Sequence, residues 1–320
     1  MILSGGSIAY LAVESVSMGL ALLAGYGAWK ITRGYEAYRF DAKQYRLFAL
    51  GELSSSIIRF ILGVKWILFF YYAYLLDSFA PQLIGAMCAT GVVNALWEGW
   101  WLYGWKLLTL LLATLWLVMH QDDRQREDQP YFRLKFLFYL AVLGALAVEY
   151  LWSVVALWGL EPQRMVSCCS STFSAGSAGA LGEGMMSERS LYAFLGLFGV
   201  MGGAYGVGWV RLLVWPIFFF LPSALWAIIY FFSPYIYAIP THTCPFCLIQ
   251  FEYYGIGYLL YLLLFAGSFL GVASAFRSLY AKEMDPKPLM RISMGLQLLL
   301  LMVLWGYVLG YFWINGAWLK

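Results

Sequence analysis

Residues 136–158 read FLFYLAVLGALAVEYLWSVVALW, from Phe136 to Trp158, with one charged side chain, Glu149. The hydrocarbon core of a bilayer is about 30 Å thick, and a helix crosses it in roughly 20 apolar residues. The apolar positions of this stretch do not alternate, as they would in a strand of a membrane barrel. Only helices and closed barrels satisfy their backbone groups inside lipid, so the stretch predicts a transmembrane helix.

Similar stretches lie on both sides of it. Going outward, the hydropathy pattern predicts spans over Ile8–Trp29, Ser55–Leu76, Ala95–Met119, Leu191–Val210, Leu212–Phe232, Tyr254–Phe276 and Ile292–Ile314. The whole chain of 320 residues is 62% hydrophobic and 12% charged, with a mean hydropathy of +0.73. Soluble domains carry about 25% charged residues, so a water-covered fold is excluded. The expected fold is an all-α polytopic transmembrane helix bundle of about eight spans. It forms a single integral membrane domain over 1–320, with outer loops at 77–94, 159–190 and 233–251. The first residues, Met1–Ile8, carry no basic segment or cleavage site of a secretory leader, and no lipidation box is visible.

The basic residues orient the spans. Lys30, Arg33, Arg39, Lys43, Arg46, Arg124, Arg126, Arg133, Lys135, Arg211, Arg277, Lys282, Lys287 and Arg291 fall on one side, and only Arg164, Arg189 and Lys320 on the other. Short cytoplasmic loops are the Lys/Arg-rich ones, so both termini and the three loops above are expected outside. Trp97, Trp100, Trp101, Tyr103 and Trp105 read as an interfacial aromatic belt. Gly196, Gly199, Gly202, Gly203 and Gly206 read as a stripe for close helix packing.

In this orientation all five cysteines, Cys88, Cys168, Cys169, Cys244 and Cys247, lie in or beside outer loops. A bacterial inner membrane with these loops facing the periplasm would expose them to an oxidising compartment. The densest string is Thr241-His242-Thr243-Cys244-Pro245-Phe246-Cys247. Pro245 suits the first turn of a helix, which would set Cys244 at its N-cap, where the dipole favours thiolate. His242 would tune that thiol or relay its proton. Cys168 and Cys169 are adjacent, and their small ring disfavours a mutual bond. They are expected to work with Cys244 and Cys247. Three readings stay open: thiol–disulfide exchange, binding of copper or another soft metal by the four sulfurs with His242, and static disulfides in a subunit of a larger membrane complex. Cys88 reads as a small buried residue.

The string Cys244-Pro-Phe-Cys247-Leu-Ile-Gln250 resembles the Cys-x-x-Cys entrance of DsbB-like quinone-linked disulfide-forming membrane proteins. The resemblance spans residues 241–250 and is carried by Cys244, Cys247 and Gln250. It implies a thiol pair opening a membrane helix at the periplasmic face, a quinone as electron acceptor and a periplasmic thiol protein as partner. Under the metal reading, the partner would be a metal-carrying protein.

Charges inside the spans are the other chemical feature. Lys65, Lys106 and Glu149 lie near mid-span and Arg59 nearer the inner face. Each costs about 2.5–3.5 kcal/mol at the bilayer centre unless paired. Glu149 is expected to pair with Lys65 or Lys106, as a helix clamp or as part of a proton path. Glu14 and Glu98 are expected to reach water at the outer ends. Haem is unfavoured, because His120 and His242 lie at opposite edges and no Cys-x-x-Cys-His occurs. No phosphate-binding loop is present, and nothing points to nucleic acid as a partner.

Overall fold

The computed structural model describes residues 4–36, 39, 41–161, 165–166, 179–208, 214–240 and 242–319, with side chains from 187 and from 216 in the two helices that begin at 179 and 214. The chain is 83% helical, with no strand among the described residues. Eight helices are long and apolar enough to cross a membrane. The protein is therefore an all-α polytopic membrane protein.

The long helices are α1 (Gly5–Gly34), α2 (Ala42–Phe79), α4 (Gly99–Arg124), α5 (Phe132–Trp158), α6 (Gly179–Val207), α7 (Val214–Ala227), α9 (Ile256–Tyr280) and α10 (Lys287–Asn315). Two short helices join them, α3 (Ala89–Ala95) and α8 (Ser233–Tyr237). A wider, π-type turn over Ile228–Phe232 links α7 to α8 into one span. Pro234 lies two residues after it and has no N–H to donate back, which loosens the helical ladder there.

Two compact units are present. The first comprises Met1–Leu75 and Val93–Arg164, so it holds α1, most of α2, α4 and α5. Its core packs Ala24, Ala28 and Ile31 of α1 with Ile58 and Leu62 of α2, Ala113 and Trp116 of α4, and Phe136, Tyr139 and Val142 of α5. In lipid no hydrophobic force drives helices together, so close packing and internal hydrogen bonds must hold them. The Trp116 indole donates to the Lys135 carbonyl at 2.9 Å, and the Tyr139 hydroxyl to the Ala21 carbonyl at 3.0 Å. At the far end of α4, Asp123 accepts from Lys135 Nζ at 2.7 Å and from the Tyr131 amide at 2.8 Å.

The second unit comprises Leu76–Val92 and Met165–Lys320. Here α9 and α10 lie closest. A Cβ at Gly267 would stand 3.0 Å from Gln297 Cγ, and one at Gly271 would stand 2.9 Å from Ser293 Oγ. The Ser293 hydroxyl donates across the contact to the Gly267 carbonyl at 2.6 Å. The glycine stripe of α6 behaves otherwise. Nothing described stands within 4 Å of a Cβ at Gly196, Gly199, Gly203 or Gly206, and at Gly202 only Met294 Cε does, at 3.7 Å. The close-packing role moves to the glycines of α9.

Three further expectations change. The second span belongs to a longer helix, because the polar stretch around Lys43, Arg46 and Glu52 continues α2 beyond the apolar window. The third span starts at Gly99, not Ala95, because Glu98 takes a left-handed conformation (φ 52°) between α3 and α4. No helix opens at Cys244: α9 starts at Ile256, close to the expected start of the seventh span at Tyr254. Short 3₁₀ turns at Cys247–Ile249 and Phe251–Tyr253, and left-handed Tyr254 and Gly255, come first. Cys244 is thus not a helix N-cap, and the dipole of α9 does not act on it directly.

Candidate functional site: a three-cysteine cluster

The site belongs to the second unit and starts at the end of α2. A 3₁₀ turn over Ala80–Gln82 ends the helix, and the chain then turns at Gly85, whose φ of +90° suits glycine. A Cβ there would also strike the Val166 carbonyl oxygen. Cys88 follows, directly before α3. Asp77 fixes this corner: its Oδ1 accepts from the Ala89 amide at 3.3 Å and from Gln250 Nε2 at 3.2 Å. Gln250 also donates to the Met87 carbonyl at 3.3 Å. One side chain therefore ties the Cys88 segment to the Cys244–Cys247 segment.

The second segment is pinned by tyrosines. The Tyr237 hydroxyl donates to the Cys244 carbonyl and the Tyr261 hydroxyl to the Pro245 carbonyl. Each buried hydrogen bond of this kind contributes about 0.5–1.5 kcal/mol. Gly257, in the first turn of α9, lets that helix press on the cysteine segment. A Cβ there would lie 2.7 Å from the Leu248 carbonyl carbon and 2.8 Å from its oxygen. Gly257→Ala is therefore expected to push the 3₁₀ turn at Cys247 outward and to cost about 1–3 kcal/mol, as overpacking does. Thermal denaturation of the purified protein checks this, with Gly295→Ala, which meets open space, as the comparison.

These two segments bring three sulfurs together. Cys88 Sγ and Cys244 Sγ are 3.5 Å apart, and the Sγ atoms of Cys88, Cys244 and Cys247 all lie within 4.8 Å of one another. The Thr90 hydroxyl stands 3.1 Å from Cys244 Sγ. All three cysteines are buried, at 0%, 1% and 5% exposure. So little exposed surface disfavours direct attack by a thiol of another protein in this conformation. Three thiolates around one ion at about 2.3 Å would stand about 4 Å apart, so the set needs little adjustment to bind one. Sulfur ligands select soft ions, whereas calcium and magnesium require oxygen.

His242 stands at the margin of this cluster. It is half-buried, and its ring packs edge-on against Tyr237, with centroids 4.6 Å apart. Burial holds its pKa below the usual imidazole value, and nearby Cys88 only partly opposes this. It is therefore neutral near pH 7, but its nitrogens lie outside the three-sulfur set. Cys168 and Cys169 lie outside the described residues. The third sulfur comes from Cys88, which the sequence offered only as a small buried residue. Asp77 also carried no signal in the sequence, because its role depends on contacts with Ala89 and Gln250.

The mid-membrane charges gather in the first unit. Lys65 Nζ lies 3.0 Å from Glu14 Oε1 and 2.9 Å from Glu149 Oε1, and Lys106 Nζ lies 3.0 Å from the same Glu149 oxygen. Glu149 thus pairs with both lysines. Glu14 is buried and paired, not solvated, because α1 begins at Gly5 and carries Glu14 more than two turns inward. Arg59 stays apart: it is exposed on α2 and donates to Ser56 Oγ at 3.3 Å.

No protein-family model, curated protein or solved structure matches the chain.

Proposed function

We propose that this protein binds a soft, thiophilic metal ion of the Cu(I) type through Cys88, Cys244 and Cys247 at the extracytoplasmic face of a bacterial inner membrane. The observation that carries the reading is the convergence of three buried sulfurs from segments far apart in sequence. A dithiol shuttle needs two sulfurs and access for its partner. Three buried sulfurs among the described residues match a trigonal soft-metal site better. Thr90 would donate a hydrogen bond to the Cys244 thiolate, as outer-shell groups do around metal ligands.

The orientation rests on the helices themselves. Lys43 and Arg46 lie in the opening turns of α2, and Cys88 follows its other end. Cys247 precedes α9, and Arg277 and Lys282 lie at its other end. The cysteines thus stand opposite the basic ends, which the positive-inside rule assigns to the cytoplasm. A metal-carrying protein of the periplasm is the partner that fits such a site.

Titration of the reduced, purified full chain with Cu(I) against a chromophoric chelator tests the reading. One tight equivalent is expected, and Cys88→Ser should weaken it by more than the roughly 10–100-fold that outer-shell changes cost. Wild-type protein that takes up no copper rules the reading out. The 3.5 Å approach of Cys88 and Cys244 favours a second reading. A modest side-chain rotation would bring these sulfurs to the roughly 2.05 Å of a disulfide. The two thiols would then lose two protons and two electrons to a quinone-type acceptor. A Cys88–Cys244 disulfide formed on adding quinone, in protein that binds no copper, would favour this alternative.

A further inference from the structure

We infer that the last turns of α1 form a binding site for an anionic glycerophospholipid, with Lys30, Arg33 and Arg133 as the cations that hold its phosphate. The site lies in the first unit and stands apart from the cysteine cluster, which belongs to the second. Tyr26, Trp29, Lys30 and Arg33 are spaced i, i+3, i+4 and i+7, so they share one face of the helix. All four are exposed, while Ala24, Ala28 and Ile31 on the opposite face pack into the core.

The cations are held before any ligand arrives. Lys30 Nζ lies 4.3 Å from the centroid of the Tyr26 ring, and the Arg33 guanidinium carbon 4.5 Å from that of Trp29. The two rings are nearly parallel, at 23°, with centroids 6.4 Å apart. A cation over an aromatic face is attracted to it, and a side chain already ordered costs less to fix on binding. Arg133 of α5 brings a third cation. Its Nε donates to the Thr32 carbonyl at 3.0 Å, which sets the guanidinium against the Thr32–Arg33 peptide. Gln44 fixes the same helix end, donating to the Gly34 carbonyl at 3.0 Å.

Charge selects the occupant. Among the described residues, Lys30, Arg33 and Arg133 enter no ion pair, and the acidic residues that follow α1, Glu36 and Asp41, are both engaged by Arg39. Basic clusters at the end of a span attract anionic headgroups, and Tyr and Trp rings settle at headgroup depth. The strip also continues into apolar surface. Leu22 and Leu23, about one turn deeper on the same face, are 56% and 60% exposed. They offer acyl chains a contact that a free phosphate cannot use, so the anion is that of a lipid.

Native mass spectrometry of the purified full chain in detergent, titrated with phosphatidylglycerol or phosphatidylcholine, tests this. The first phosphatidylglycerol should bind more tightly than the first phosphatidylcholine. Lys30→Gln combined with Arg33→Gln should weaken phosphatidylglycerol about tenfold or more, since each cation near an anionic headgroup contributes, and leave phosphatidylcholine unchanged. Lys43→Gln combined with Arg46→Gln removes an exposed pair at the opening of α2 that lies over no ring among the described residues, and should weaken it far less. No preference for phosphatidylglycerol, an equal loss in the two double variants, or equally tight binding of glycerol phosphate would overturn the inference.

Discussion

Replacing Glu149 by alanine is expected to destabilise the protein more than any other single change in the first unit. The carboxylate is shared by Lys65 and Lys106, and both ammonium groups are almost fully buried. Removing one partner of a buried ion pair costs about 3–5 kcal/mol, because the other charge is left uncompensated. Here two ammonium groups would be left, with Lys65 still paired to Glu14 and Lys106 in no ion pair among the described residues. Thermal denaturation in detergent should show a large downward shift, with reduced accumulation in membranes. Glu149→Gln keeps an acceptor oxygen and should fall between the two. Glu14→Ala should be milder than Glu149→Ala, since both lysines retain Glu149. Equal losses at Glu14 and Glu149 would contradict this asymmetry between the two carboxylates.

The fold was legible because lipid imposes a simple requirement. Each span must be long, apolar and internally hydrogen-bonded, and a hydropathy window detects that directly. Phe136–Trp158 illustrates it, since α5 ends at Trp158 as the sequence predicts. What hydropathy cannot detect is helix continuing into water, as at Ala42–Glu52 in α2, or a left-handed break inside an apolar region, as at Glu98.

The site was only half legible. Cys244 and Cys247 stand close in sequence, and their spacing marked them as chemistry. The contact between Cys88 and Cys244 spans 156 residues and forms only through the fold, so Cys88 had no local signal. Glu14 was misjudged for a related reason. Its distance from the first apolar residues placed it at the edge, but Ser4 caps α1 earlier, accepting from the Ser7 amide at 3.2 Å. The charge is thereby carried into the bundle, where Lys65 meets it. The pairing of Glu149 was foreseeable because an isolated charge at that depth is costly. That it serves two lysines at once depends on the rotations of α2 and α4 about their axes, which no single helix records.

X-ray absorption at the copper edge of the Cu(I)-loaded full chain tests the central claim most directly. The account predicts three sulfur neighbours at about the 2.3 Å typical of metal–thiolate bonds. It also predicts that Cys244→Ser, which removes the sulfur touching both Cys88 and Thr90, abolishes the site and the bound copper with it. Two-sulfur coordination, or a nitrogen- and oxygen-dominated shell that survives Cys244→Ser, would contradict a metal centre built from Cys88, Cys244 and Cys247.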